Sequence, residues 1–386
     1  MSRTVVQKFG GSSVADVDKI RAVAQRVKAR RDEGWQLVVV VSAMGDTTDE
    51  LLSLARKISA DPPRRELDML LTCGECISMA LMSMALQELQ VPAISFTGSQ
   101  SGIITDDTHA QARIIEVKPA RIEEELAQGK VVIVAGYQGV SRKKEVTTLG
   151  RGGSDTSAVA LAAALQADCE IYSDVDGVFS ADPRVVPQAR KLDHISFEEM
   201  QELASAGAKV LNAQAVEFAR EAGITIHARS THTAGTGTQI RQVENDSTRV
   251  KGVTCDTDLW VISVEKAEQL SALLKVLDAH QVRGRQLLVD PKGRSLVVVP
   301  LQDVHGPERL KAALPGGAAV LEHLATVTAV GTGLNSDWSL VEAARAAAQA
   351  LSITVEALYS GALQLTLLVD KQHAKTLTAK LHEVMV

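Results

Sequence analysis

Two glycine-rich stretches carry the residues best suited to chemistry. Lys8-Phe9-Gly10-Gly11-Ser12-Ser13 follows the apolar run Thr4-Val5-Val6. Thr147-Thr148-Leu149-Gly150-Arg151-Gly152-Gly153-Ser154-Asp155 precedes an Ala-, Leu- and Val-rich run from Thr156 to Leu165. Each reads as an extended segment, a loop without bulky side chains, then a helix. Such a loop lets backbone N–H groups approach an anion, and the helix N-terminus adds partial positive charge. One loop carries a lysine, the other an arginine and an aspartate, so together they imply a site for phosphates and a charged co-substrate. Neither Gly-x4-Gly-Lys-Ser/Thr nor Gly-x-Gly-x-x-Gly occurs, so the phosphate site is of another type. Gly331-Thr332-Gly333 lacks a third glycine and reads as a loop.

The elements that must position these loops alternate between strand and helix from Val5 to about Arg229. Leu37–Val41 and Val131–Ala135 are β-branched runs of the kind buried on both faces of a parallel sheet. Ala93–Thr97, Glu170–Ser173 and Ile224–Ala228 are shorter strand candidates. Helical patterns lie between them at Val17–Arg31, Asp49–Ser59, Arg65–Leu89, Pro119–Gln128, Ser154–Leu165, Phe197–Ala206 and Asn212–Glu221. The order implies βαβ units and a mostly parallel sheet, with ligands beyond the carboxyl ends of the strands. From Thr236 to Arg249 the pattern breaks, which sets a domain boundary: residues 1–245 form one domain and 250–386 a second region. In that region Val253–Val264, Gln286–Val289, Leu296–Pro300, Thr326–Val330, Ile353–Leu358 and Gln364–Val369 read as strands. Helices are expected at Glu265–His280, Gly306–Leu314, Leu340–Leu351 and Lys371–Val384. Two ferredoxin-like units fit this order, at about 253–322 and 323–386, with exchanged strands allowed.

The 386 residues carry a net charge of −6 and few aromatics, which argues against nucleic acid and anionic membrane as partners. No apolar run is expected to reach the roughly 20 residues of a membrane span. The strand pattern opens at once, so no signal peptide is expected and cytoplasm is the expected place. Cys73-Gly-Glu-Cys76 has metal or redox spacing but no second Cys or His pair to complete a zinc site. It reads as two small side chains on one helix face.

Several ordered segments resemble the aspartate kinase branch of the amino acid kinase superfamily: Lys8–Val14, Val41–Glu50, Glu66–Glu75, Thr148–Asp155 and Tyr172–Arg184. The match runs from residue 3 to about 230. The fold it implies is α/β: a three-layer kinase domain on a mostly parallel sheet, followed by two ferredoxin-like ACT units. The activity it implies is ATP-dependent phosphorylation of the side-chain carboxylate of L-aspartate, the first step toward lysine, threonine and methionine. A sister kinase acting on glutamate or carbamate, or a non-catalytic amino-acid sensor, are the competing readings.

The reaction suits the residues. An aspartate side chain, with a reference pKa near ~3.9, is already nucleophilic at neutral pH and needs no general base. The difficulty is bringing one anion to another, so catalysis rests on positioning and positive charge. Lys8 is the candidate for the charge on the transferred phosphoryl group, and the resemblance gives Asp155 the task of orienting it. Arg151 offers a planar fork for the aspartate α-carboxylate, Glu75 a partner for its ammonium, and Ser42 and Thr47 hydroxyls for the carboxylates. The resemblance further implies ATP against Gly10, Gly11, Ser12, Ser173, Asp174, Phe179 and Asp182, with Arg184 and Lys209 near its phosphates. Mg²⁺ is expected with ATP, held mostly by phosphate oxygens and water, so no protein ligand is named.

The chain departs from the family in places. Lys209-Val210-Leu211 is followed by Asn212 rather than a bulkier residue, with no expected effect on chemistry. In the first ACT-like unit, Ser263–Gln269 lacks the usual Pro-Gly turn where an amino-acid effector binds. The expectation is weak or altered feedback by lysine and threonine, with the ACT pair kept for homodimer formation.

Overall fold

The computed structural model describes residues 3–208, 210–233, 235–243, 250–290 and 293–386. Two compact units emerge. The second holds Phe179–Arg190, Glu202–Ala208 and the described residues from 250 onward; the first holds the rest. The expected boundary at Thr236–Arg249 falls partly on 244–249, which lie outside the described residues, as does Lys209.

The first unit's strands are, in chain order, β1 Arg3–Phe9, β2 Trp35–Val41, β3 Ala93–Phe96, β4 Ile103–Thr105, β5 Ile114–Val117, β6 Val131–Ala135, β7 Gln138–Ser141, β8 Val146–Thr148, β9 Asp168–Ser173, β10 His194–Ile195, β11 Ile226–Ser230 and β12 Thr238–Ile240. Its helices are α1 Val17–Asp32, α2 Thr47–Ile58, α3 Arg64–Glu88, α4 Ala120–Ala127, α5 Gly153–Ala164 and α7 Ala213–Ala222; α6 is Phe197–Ser205. The main sheet has the order β10-β12-β11-β9-β1-β2-β6-β3. It is parallel from β11 to β3; β12 runs antiparallel to β11, and β10 runs with β12. A small second sheet, β5-β4-β7-β8, joins short strands that no periodicity announced.

The period of two along β1 sorts its side chains to two faces. Val5 and Phe9 join Leu37, Val39 and Val41 in a core closed by Ile20, Val23 and Val27 of α1 and Met82 and Leu86 of α3. Lys8 therefore turns to the opposite face, where α5 lies against β1. Helix α5 is buried along nearly its whole length, which explains a composition of Gly, Ser, Thr, Ala and Val rather than long polar side chains.

Helix α3 corrects one expectation. Its 25 residues are long and apolar enough, by length and composition, to cross a membrane. Its place is instead against α1, β3, β6 and β8, with Asp68 and Glu75 both buried. Its apolar stretch packs on one side only, with Met69, Ile77 and Met84 left exposed.

The second unit contains two four-stranded antiparallel sheets. Its strands are β13 Val250–Asp256, β14 Leu259–Val264, β15 Gln286–Val289, β16 Ser295–Pro300, β17 Ala319–Leu321, β18 Leu324–Gly331, β19 Val355–Ser360 and β20 Gln364–Asp370. Its helices are α8 Ala267–Ala279, α9 Pro307–Ala313, α10 Trp338–Ala350 and α11 Ala374–Met385. The sheet β15-β16-β14-β17 has the ferredoxin-like order, and β13-β18-β20-β19 repeats it with β13 in the place of the last strand. The sequence reading of one strand over Val253–Val264 is thus two strands. Asp256 divides them, its Oδ1 accepting from the Asp258 N–H at 2.9 Å in a tight turn.

Candidate active site

The register of the main sheet aligns the carboxyl ends of its central strands. Phe9 stands opposite Val41 on one side and Tyr172 on the other, and Val41 opposite Ala135. The order of connection reverses at β1: β2 lies on one flank and β9 on the other, so a crevice opens at this end of the sheet. Both glycine loops and Ser42, Ser173 and Asp174 follow directly from these strands or face them.

At the centre, Lys8 Nζ lies 2.6 Å from Asp155 Oδ1, each side chain only 11% exposed. Lys8 comes from β1 and Asp155 from the first turn of α5, where an acid also complements the helix dipole. The Asp155 oxygen has no directional hydrogen bond, so the contact is an ion pair. Gly10 sits under the ammonium: a Cβ there would meet Lys8 Nζ at 3.6 Å. At Gly11 a Cβ would stand 3.0 Å from Ala43 O and 3.2 Å from Gly45 O, so the two loops approach too closely for a side chain. Gly45 N–H donates to Gly11 O at 3.1 Å and fixes that approach.

The first loop departs from expectation in one respect. It opens onto a single 3-10 turn, Gly11–Val14, and α1 begins only at Val17, capped by Asp16, whose Oδ1 accepts from Lys19 N–H at 2.8 Å. The second loop does meet a long helix, through Gly152 in the left-handed region at φ 71.

Glu75 enters from α3. It is 3% exposed; Oε1 accepts from Ala43 N–H at 3.1 Å and Oε2 has no partner among the described residues. Burial pushes its carboxyl up from 4.5 to about 7, against the opposing pull of the Ala43 and Glu75 N–H groups and the Lys8 charge. Ser42 is half-buried, its carbonyl held by Ser78 Oγ at 2.6 Å. Thr47 starts α2 with its hydroxyl on Met44 O at 2.6 Å. Arg151 is exposed and carries no ion pair among the described residues. Of the remaining expected positions, Ser12 is exposed beside Gly11, Ser173 ends β9, and the exposed Asp174 follows it. Phe179, Asp182 and Arg184 belong to the second unit, where Arg184 Nη2 meets Asp182 Oδ2 at 2.8 Å.

Two residues important to this geometry escaped the sequence reading. Asp68 is fully buried on α3 and accepts from His109 Nδ1 at 2.6 Å, Ala110 N–H at 3.0 Å and Thr148 Oγ1 at 2.6 Å. It ties the second glycine loop to its neighbour; the signal was its spacing, seven residues or about two turns before Glu75, on the same helix face. Asn212, read as a departure without consequence, caps α7 through Oδ1 on Gln214 N–H at 2.8 Å and donates from Nδ2 to Arg151 O at 2.9 Å. It closes over Gly152, where a Cβ would fall 2.7 Å from Asn212 Nδ2. The Cys73–Cys76 pair forms no disulfide, and the described residues hold no group of three His, Cys, Asp or Glu placed for a metal.

A sequence model of the amino acid kinase family matches residues 3–230. An aspartokinase of Thermus thermophilus is 39% identical over 398 residues, covering 98% of both chains. The chain belongs to the aspartokinase branch of the amino acid kinase family. An aspartokinase of Mycolicibacterium smegmatis is 60% identical over 239 residues, 61% of this chain and 57% of that relative. The match therefore spans less than two thirds of that relative's length. Among solved structures, E. coli aspartokinase III in complex with aspartate and ADP has a TM-score of 0.88 at 23% identity, covering 99% of this chain and 100% of that one. This aspartokinase-family chain shares its fold.

Proposed function

We propose that the chain transfers the γ-phosphoryl group of ATP to the side-chain carboxylate of L-aspartate, giving 4-phospho-L-aspartate and ADP. The observation that carries the reading is the Lys8–Asp155 pair at 2.6 Å beneath two open glycine loops, beside a buried Glu75 whose Oε2 lacks a partner. The carboxylate needs no base; it needs its repulsion from the phosphate offset. Lys8 supplies that charge where it develops, and Asp155 holds the ammonium against the α5 face. Glu75 Oε2 takes the ammonium of aspartate, Arg151 the α-carboxylate, and Ser42 and Thr47 hydrogen-bond the carboxylates.

ATP lies along Gly10, Gly11 and Ser12 and against Ser173 and Asp174. The nucleotide-side roles of Phe179, Asp182, Arg184 and Lys209 rest on the sequence resemblance. Mg²⁺ accompanies ATP, carried by phosphate oxygens and water. Four free cysteines fit a reducing cytoplasm. The experiment is ADP release with hydroxylamine trapping across aspartate, glutamate and carbamate. Aspartate-dependent hydroxamate is expected; no turnover, or preference for another acceptor, overturns the reading.

Residues 1–245 form the catalytic domain in this proposal, and 250–386 the ACT-like regulatory and dimerisation region. In the first ACT-like unit the strand-to-helix turn is closed to an effector carboxylate by a side chain of its own, Gln269. Gln269 Oε1 accepts from Glu265 N–H at 3.1 Å and Lys266 N–H at 3.0 Å, while its Nε2 donates to Gly316 O at 2.9 Å. Those amides are the means by which such a turn holds an anion, so feedback by lysine or threonine through it is weak. Strong inhibition of the wild-type chain by sub-millimolar lysine or threonine sinks that part. The edge strand β15 exposes Leu287 and Val289, which supports pairing of these units in a C2 homodimer; a monomer in light scattering overturns it.

A further inference from the structure

The first glycine loop ends on a contact that the phosphoryl-transfer reading leaves without a task. Ser13 Oγ lies 2.6 Å from Thr231 Oγ1, across 218 positions of chain. Ser13 belongs to the 3-10 turn Gly11–Val14, and its N–H donates to Gly10 O at 2.9 Å. Thr231 is the first residue beyond β11, and its N–H donates to Ser173 O at 2.8 Å. It therefore touches both segments along which ATP is placed, the glycine loop and the end of β9.

The segment that carries Thr231 is braced from α1. Arg26 donates from Nη1 to Ser230 O at 3.1 Å, and its guanidinium lies 4.9 Å from the centroid of the Tyr172 ring. Tyr172 in turn stacks on Phe9 at 4.8 Å, and its carbonyl accepts from Gly10 N–H at 3.1 Å. The carboxyl ends of β1, β9 and β11 are thus tied to one another. Within this frame the hydroxyl pair leaves one proton over. Each hydroxyl donates once, so two of them share one proton and keep the other free. Neither oxygen has a second hydrogen-bond partner among the described residues. Ser13 is 1% exposed, whereas Thr231 is only half-buried. A ligand reaches the pair through Thr231, so Ser13 donates inward to Thr231 Oγ1 and Thr231 presents its own proton at the open end of the sheet.

We propose that Thr231 is a further nucleotide-binding residue, its hydroxyl donating to a phosphate oxygen of ATP while Ser13 fixes the direction of that hydroxyl. The inference rests on the phosphoryl-transfer reading and adds a donor from the β11 side of the crevice. A phosphate oxygen is the acceptor that suits a donor placed beside the glycine loop, and a hydrogen bond to a charged group is stronger than one to water. The groups assigned to aspartate, Ser42, Thr47, Glu75 and Arg151, lie on other segments, and none of them hydrogen-bonds either hydroxyl among the described residues. A neutral donor holds the phosphate in the ground state and the transition state alike. Its loss should therefore weaken ATP binding, with little change in kcat and none in the use of aspartate.

Isothermal titration calorimetry of the full chain with MgATP, without acceptor, provides the test, alongside the steady-state KM for aspartate. Thr231→Val should weaken MgATP binding about tenfold or more and leave the aspartate KM within about twofold. Thr231→Ser keeps the hydroxyl and should bind within about threefold of wild type. Thr231→Val alone strands the buried Ser13 hydroxyl and should lower the melting temperature. Combining it with Ser13→Ala removes both partners, which is nearly neutral for stability. The double variant should thus recover the melting temperature and keep the weak MgATP binding. A pair that only pins two loops together predicts the reverse, with affinity returning as stability does. The proposal is overturned if the double variant binds MgATP like wild type, if the aspartate KM rises as much as the MgATP Kd, or if Thr231→Ser binds as weakly as Thr231→Val. A wild-type chain that binds no MgATP by about 10 mM overturns the phosphoryl-transfer reading itself, and this inference with it.

Discussion

Replacing Glu75 by glutamine separates affinity from stability and gives each a sign. The folded chain raises this carboxyl from 4.5 to about 7, so between those values the native state holds a proton that the unfolded chain has released. Stability therefore falls as pH rises through that window, and the full cost of about 3 kcal/mol is present above pH 7, at about 1.36 kcal/mol per pH unit. Glutamine keeps an oxygen for the Ala43 N–H and carries no charge, so Glu75→Gln should stabilise the unliganded protein by up to about 3 kcal/mol at pH 8. Near pH 4 the gain should vanish. Function should move the other way. The ammonium of aspartate needs the ionised carboxylate, which is about one tenth populated at pH 6 and about nine tenths at pH 8. Wild-type kcat/KM for aspartate should then rise nearly tenfold over that range. Loss of a charge-assisted hydrogen bond, about 1.5–3 kcal/mol, predicts a roughly 10- to 100-fold fall in kcat/KM for Glu75→Gln, with the rise near pH 7 abolished. Urea unfolding at two pH values and steady-state kinetics with saturating ATP measure both effects. A variant that keeps the wild-type KM for aspartate, or retains the inflection near pH 7, refutes the assignment of Glu75 to the ammonium.

The other perturbations address the remaining groups singly. Lys8→Ala should lower kcat by at least about 10²-fold while ATP affinity changes far less, because its charge is needed in the transition state; near-wild-type kcat would remove Lys8 from that role. Arg151→Ala should chiefly raise the KM for aspartate, by about tenfold or more, and an effect confined to kcat would contradict a carboxylate-binding fork. Asn212→Asp keeps an oxygen to cap α7 but loses the donor to the Arg151 carbonyl. Its thermal stability should hold while the KM for aspartate rises severalfold; an unchanged KM would mean that the loop is positioned without it.

What the sequence made legible, and what it did not, follows from how local each cause is. The buried strands β2 and β6 and the helices α1, α3 and α5 are written in runs long enough to show their period, and their ends shift by only a residue or two. Lys8 was legible because it ends such a strand before two glycines. The short strands β4, β5, β7 and β8 escaped because they are held by pairing across the chain rather than by their own pattern. The same distinction governs the site. Glycine loops announce themselves, since close approach of backbone forbids a side chain whatever the partner. Asp68 and Asn212 do not: their work is done on Thr148, His109 and the Arg151 carbonyl, 80, 41 and 61 positions away. Asp68 in particular could have been weighed as the one other acid on the Glu75 face of an otherwise apolar helix. A buried carboxylate survives in such a place only when several donors converge on it, and one of them, Thr148, ends the strand that leads into the loop of Arg151. On the proposed assignment, a charged residue inside an apolar helix two turns from Glu75 belongs to the same site, with Glu75 open to receive the substrate ammonium and Asp68 closed to hold the segment that leads into the Arg151 loop.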